Sequence, residues 1–529
     1  MASRTVSGFQ FPECFAVRKL ENRELQTFPT LLATGYWSLQ NGCEIVGIRL
    51  ECRICPLISR RNMVLQSAHL AGILIVFLLM TGVGIYAGRK VKSAEDFSTG
   101  GRKSGSVLVS GTLLGTMVGG AATIGTAQLA FRVGLSAWWF CLGAGLGLAI
   151  FASGFGRRLY QSSLHTIPQV LVKTYGSRVG PLASVFTSLG IYFGLVSNML
   201  SFVALGTSVL HLVPIWAAAL GVLLVFAYVI FGGIWGTGLT GILKVILVYG
   251  TLLYCGGAAY FKAGGIAGLT ATFPSYPWFS LFGRGFGVDL ASGVSTLLGM
   301  ISTQTYFQAV ASARSLRAAR GGAAISALMA PPIGIGAILV GLYMRSAYPG
   351  TPSSEVLPAF VVKFLPPVAA GMVLATLFVA VVGCLAGLAL GIATMFTTDI
   401  YQRYLRPRAS DRETLLVQRL ILLLACCSTL AFVKDNAGST ILDWNYLSMG
   451  LRGCTVIFPL AGAMFFPRWV TPQAGVAAVV LGPLTAFLSR LLFPAGVNPL
   501  YPGLAVSLFV LVLVSVITKN AVEVRSTSI

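Results

Sequence analysis

Charge is what this chain has least of. Of its 529 residues, 10% are Asp, Glu, Lys or Arg, against about 25% in an ordinary soluble domain. Acid is scarcest, with Asp+Glu 15 against Lys+Arg 37. A water-soluble globule of this length could not cover its surface with so few charges, which excludes a soluble enzyme and a disordered chain. Histidine is almost missing, with His69, His165 and His211 the only three. Without a His/Asp/Glu cluster there is little material for acid–base catalysis, so neither an enzyme nor a bound cofactor is expected. The net charge of +22 would ordinarily raise nucleic acid as a partner. Here the basic residues fall in short clusters between apolar runs, as they do in membrane loops, and no nucleic-acid partner is expected. A disulfide framework is lacking too. Cys141, Cys255, Cys384, Cys426, Cys427 and Cys454 lie in apolar runs, where thiols act as small core residues. Cys52 and Cys55 form a CxxC, short of the four ligands of a zinc site, so no metal is expected.

Apolar sequence is what there is. Hydrophobic residues make up 56% of the chain, the mean hydropathy is +0.83, and the 62 glycines suit helices that pack closely in a bilayer. A helix needs about 20 apolar residues to cross the hydrocarbon core. By that measure the sequence predicts an all-α membrane protein with about thirteen spans: 68–87, 107–130, 137–155, 182–204, 214–231, 240–261, 288–310, 321–344, 368–395, 414–432, 446–466, 473–490 and 501–517. Residues 1–62 differ, being of mixed polarity, without helical periodicity and without an apolar run of signal-peptide type. They are expected to be a disordered tail or the product of a mis-assigned start, with the transporting unit at 63–518 and a cytoplasmic tail at 519–529.

Lys and Arg alternate from loop to loop. Arg89, Lys90, Lys92, Arg102 and Lys103 follow the first span, and the bias returns at Arg157/Arg158, Arg314/Arg317/Arg320, Arg403/Arg406/Arg408/Arg412 and Lys519/Arg525. The positive-inside rule places these loops in the cytoplasm, with the N-terminus outside and the C-terminus inside. The expected location is the plasma (inner) membrane of a prokaryote.

Two spans are interrupted. The second holds Val118-Gly119-Gly120-Ala121-Ala122-Thr123, almost bare of side chains, and five spans later 288–310 holds Gly299 and the polar run Ser302-Thr303-Gln304-Thr305. Either one alone reads equally well as close helix packing through small residues. A pair at matched positions is the pattern of inverted-repeat transporters, whose broken helices hold solute and ion at mid-membrane.

With these residues the chain resembles the sodium:solute symporter family from residue 66 to about 517. The resemblance rests on Gly88-Arg89 through Phe97 and Gly100-Gly101-Arg102, on Ile124-Gly125 with Gly134 and Trp138-Trp139, and on Gly232-Gly233. It continues through Gln304-Thr305-Tyr306-Phe307-Gln308, Ala313-Arg314-Ser315, Leu357-Pro358 and Thr398-Asp399-Ile400-Tyr401. It implies a LeuT-like core of two inverted five-helix repeats, about 107–261 and 288–466, with one helix before and two after. It also implies alternating access and uptake driven by Na⁺.

The family's sodium site would fall at Gly115 and Val118 on the first broken helix and at Ala380, Gly383 and Cys384 on the ninth span. Positions 380, 383 and 384 share a helix face. Their chemistry departs from the family, because Na⁺ wants oxygen, a thiol is a poor donor for it and glycine offers no side chain. In the sixth span, where the family commonly has Thr-Asp with Gln three residues on, this chain has Thr240, Gly241 and Lys244. A Lys inside a span costs about 2.5–3.5 kcal/mol on insertion scales and marks a functional site by default. Lys244 either snorkels to the headgroups or fills the space the ion has vacated and exchanges a proton. The coupling ion is therefore Na⁺ or H⁺, or neither.

The solute pocket should lie between the breaks, lined by Gly119, Gly120, Ala121, Ala122, Thr296, Gly299, Met300, Thr303 and Gln304, with Asn198 from the fourth span. So apolar a lining is poor for a sugar and better for a small carboxylate or partly apolar solute. Arg452, two turns into the eleventh span, either contacts such an anion or is tied to helix carbonyls or to Asp443. The function expected is secondary transport. The rival is a transport-inactive membrane sensor on the same scaffold, which the loss of sodium ligands would favour.

Overall fold

The computed structural model describes residues 66–88, 103–162, 164, 166–492 and 498–527, with the pairs 44–45 and 48–49. The chain divides into two compact units, Met1–Asn62 and Met63–Ile529. In the first, Glu44–Ile45 pairs antiparallel with Ile48–Arg49. The Cys52/Cys55 pair and the rest of the tail lie outside the described residues, as do Arg89, Lys90, Lys92, Phe97 and Arg102 of the first basic loop and the surroundings of Gly232-Gly233.

The second unit is built of helices. After α1 (Ser67–Gly88), α2 (Ser106–Met117) stops at Val118 and the chain resumes through a π-helical turn, Ala121–Gly125, into α3 (Thr126–Val133). A tight turn at Gly134 leads to α4 (Trp139–Ile150), α5 (Gly156–Ser162), α6 (Ile167–Tyr175), α7 (Val179–Leu210), α8 (Pro214–Lys262) and α9 (Gly265–Thr272). α10 (Phe286–Ser302) and α11 (Gln304–Ala311) are set 47° apart at Thr303. There follow α12 (Leu316–Ala347), α13 (Val356–Phe364), α14 (Pro367–Met395, extended by a π-helical segment to Leu405), α15 (Asp411–Asn436), α16 (Ile441–Phe465), α17 (Pro472–Leu492) and α18 (Leu500–Thr527).

Local chemistry sets the ends. Thr166 and Gln169 form a capping box on α6, each side chain meeting the other's backbone N–H. Ser410 caps α15, whose first turn holds Asp411 and Glu413 and whose last turn holds Lys434, matching the helix dipole at both ends. Gly134 turns the chain at φ 71°, and a Cβ there would overlap the Trp278 backbone, so only glycine fits. Burial separates centre from rim. The most apolar window of α14 is 94% buried and that of α7 is 89%, while those of α1 and α18 are 22% and 28%. α14 and α7 therefore form the middle of the bundle and α1 and α18 present side chains outward, Leu70, Leu74 and Leu78 among them.

The count among the described residues is lower than the thirteen predicted. Ten helices are long and apolar enough to cross a membrane, or eleven if the bent pair α10–α11 is one span. Two shorter apolar helices, Ser106–Met117 and Pro214–Ala227, lie within the predicted spans 107–130 and 214–231 and fall below that length. Gly134, at φ 71°, turns the chain between the predicted spans 107–130 and 137–155.

Candidate solute and ion site

The first break is wedged between α7 and α14. Val118 leaves helical geometry at φ −81°, ψ 87°, and Asn198 of α7 takes up the loosened backbone. Its Oδ1 accepts from the Gly120 N–H at 3.0 Å and its Nδ2 donates to the Gly194 carbonyl at 2.9 Å. Two hydroxyls add bonds to carbonyls at the break, the Ala121 carbonyl also accepting from the Thr126 N–H. Thr123 donates to Gly119 at 2.9 Å and Thr126 to Ala121 at 3.0 Å, as apolar surroundings require of backbone groups. The glycines are needed for approach. A Cβ on Gly119 would lie 2.5 Å from the Cβ of Cys384, and one on Gly120 would overlap the Ser201 side chain.

The predicted ion-site positions come together. Lys244 is buried and donates to the Ala380 carbonyl at 3.1 Å. Gly241, one turn before Lys244, packs so closely on α2 that a Cβ there would meet the Gly111 carbonyl and stand 3.4 Å from the Cα of Gly115. Cys384, one turn past Ala380, donates its thiol to the Thr116 carbonyl at 2.7 Å. Val118 and Gly383 are both buried. Lys244 thus reaches inward to α14, and the snorkelling alternative does not describe its position.

The second break is organised by Arg452, which is 0% exposed. Its Nη1 donates to Thr303 Oγ1 at 2.5 Å. Nε and Nη2 hold the Ser448 carbonyl and hydroxyl at 3.1 and 2.9 Å, and Nη2 also lies 3.0 Å from the sulfur of Met449. Thr303 in turn donates to the Gly299 carbonyl at 2.5 Å. Asp443, the alternative partner considered for Arg452, instead sits 3.6 Å from Arg284.

Not every predicted lining residue faces this space. Gln304 Oε1 accepts from the Ile167 N–H at 3.0 Å, so that oxygen serves the start of α6. Thr296 donates to Ser292 at 2.9 Å, and both Thr296 and Met300 pack on α4, against Gly143 and Gly147 respectively. Gly299 packs against Met449. The residues the sequence reading missed are Ser201, Thr116, Ser448 and Met449. Ser201 stands three residues after Asn198 and Ser448 four before Arg452, spacings that share a helix face and could have found them. Among the described residues, no group of three His, Cys, Asp or Glu is placed to hold a metal ion.

This geometry of two broken helices facing a buried cation defines a membrane transporter. Residues 97–482 match the profile of the Sodium:solute symporter family, and the chain belongs to that family. It is 26% identical over 441 residues to the human high affinity choline transporter 1, covering 78% of this chain and 75% of that one. To the osmoregulated proline transporter of Bacillus subtilis it is 24% identical over 471 residues, 84% of this chain and 94% of that one. Among solved structures, a Na⁺-coupled sialic acid symporter in a substrate-bound outward-open state superposes with a TM-score of 0.72 at 17% identity, covering 85% of this chain and 98% of that one. That likeness establishes the LeuT-like fold. The protein is therefore an integral membrane transporter of small solutes and not an enzyme.

Proposed function

We propose that this transporter carries its solute between the two helix breaks without sodium at the α2–α8–α14 junction, the Lys244 ammonium standing where the family places the ion. The observation that carries the reading is the 3.1 Å bond from Lys244 to the Ala380 carbonyl, one of the five positions expected to surround Na⁺. The loss of hydroxyl oxygens at Gly383 and Cys384 supports it, since a hard cation has little to replace its hydration shell there. Lys244 then couples transport to a proton by releasing and regaining it as the site opens to either side. The solute is small and is not a sugar, whose many hydroxyls would need more partners than Gly119, Gly120 and Ala121 offer. The repeats span about 107–261 and 288–466, and the Lys/Arg bias orients the C-terminus to the cytoplasm.

Counterflow tests the reading. Proteoliposomes loaded with a ¹³C-labelled mixture of amino acids and carboxylic acids are assayed for exchange in Na⁺, K⁺ or choline medium. Exchange of at least one solute at equal rates in all three is expected. Exchange only in Na⁺ contradicts the role given to Lys244, and solute binding with no exchange at all would make the protein a sensor.

A further inference from the structure

We propose that the solute is a small carboxylate anion, held at the second break by the Arg452 guanidinium. The proposal rests on reading the space between the breaks as the solute site, and it concerns the sign of the charge that site takes. Thr303 immediately precedes α11, and its hydroxyl is 2.5 Å from Arg452 Nη1. Thr303 both ends α10 and opens α11, so the two helix dipoles oppose each other there and the guanidinium itself is the net positive group at the break.

Among the described residues, no acidic group bonds to this charge. The bonded partners of Arg452 are a carbonyl, two hydroxyls and a thioether. Lys244 rests on a carbonyl. Among the described residues the ion pairs are Arg284–Asp289 and Arg284–Asp443. The buried Asp399 accepts from Thr166 and Ser184 instead. Two buried cations with no acid bonded to them among the described residues are costly unless a negative group arrives from outside. A carboxylate supplies that group and suits the planar fork of an arginine. Met449, whose flexible thioether covers both Nη2 and Gly299, is the group that yields to it. A quaternary ammonium would instead add a third positive charge, and an uncharged polyol would leave both cations unmatched.

The test is thermal unfolding of the purified full chain with millimolar acetate, pyruvate, lactate, benzoate or proline. Parallel samples carry the matching primary amides, choline or glucose. At least one monocarboxylate should raise the midpoint while its amide does not. Arg452→Gln should weaken that ligand's apparent affinity about 10- to 100-fold, the range for losing a hydrogen bond to a charged group, and Arg452→Lys should recover part of it. Should Arg452→Gln not fold, the carboxylate–amide comparison on the unaltered protein decides alone. Equal stabilisation by an amide, stabilisation by choline or glucose in place of the acids, or no shift with any acid overturns the proposal. Repeating the titration in Na⁺ and in K⁺ separates this from the role of Lys244, since a Na⁺ requirement would sink that role and leave the anion preference standing.

Discussion

The ammonium of Lys244 meets the backbone carbonyl of Ala380 at 3.1 Å, joining α8 to α14 across 136 residues of sequence. A second cation about 4 Å away would be repelled by ~4 kcal/mol at an effective dielectric of ~20, about a thousandfold in occupancy. One site of this size therefore holds Lys244 or a sodium ion and not both. On the reading proposed for Lys244, that exclusion, rather than the loss of any single ligand, is what would separate this chain from the sodium-driven pattern of its family.

The first break depends on the approach of α7. In Gly120→Ala the added methyl would overlap Ser201, and overpacking of this kind costs about 1–3 kcal/mol. A lowered unfolding temperature and loss of exchange are expected. Ser201→Gly in the same chain should recover part of both. Additive losses in the double variant would show that the two residues do not interact.

Asn198 should matter for the break more than for the fold at large. Asn198→Ala strips the Gly120 N–H of its side-chain acceptor and removes the second, side-chain donor to the Gly194 carbonyl. Leaving the buried N–H unsatisfied costs about 1–3 kcal/mol. Chemical denaturation should show a loss of that size, accompanied by slower exchange. Unchanged stability would mean that the break is held by something else.

Cys384→Ser keeps a donor for the Thr116 carbonyl. Stability within about 1 kcal/mol of the parent and no gain of Na⁺ stimulation are expected, because Lys244 is still present. Adding Gly383→Ser and Lys244→Gln to it restores oxygens and removes the competing charge. That triple variant should acquire Na⁺-stimulated exchange. Stimulation already present in the single variant would contradict the exclusion argument.

Much of this was legible in the sequence. Bare glycines at 119–120 and the polar run from Ser302 to Thr305 marked both breaks, and the structure interrupts the helices at Val118 and Thr303. Lys244 and Arg452 stood out because charge inside an apolar run has few innocent explanations. What did not show was pairing across the chain. The bond from Arg452 to Thr303 spans 149 residues, and no periodicity within one helix reports it. Gln304 was misread for the same reason, since its partner Ile167 begins a helix far away in sequence. The span count came out lower than predicted where apolar helices are short, as at Ser106–Met117 and Pro214–Ala227, because an apolar run read from sequence does not show where its helix stops.

The proposed orientation rests on the basic loops. Gly350 and Arg408 are exposed in loops of opposite predicted side. In intact cells an impermeant maleimide should label Gly350→Cys above the unmodified background, and Arg408→Cys only after permeabilisation. The reverse pattern would invert the topology.

Binding of ²²Na⁺ to the purified protein tests the central claim most directly, because it requires no knowledge of the solute. The unaltered chain should show no saturable binding at millimolar Na⁺, whereas Lys244→Gln with Gly383→Ser and Cys384→Ser should bind. Saturable binding to the unaltered chain that persists unchanged in Lys244→Met would contradict the assignment of Lys244 to the place of the ion.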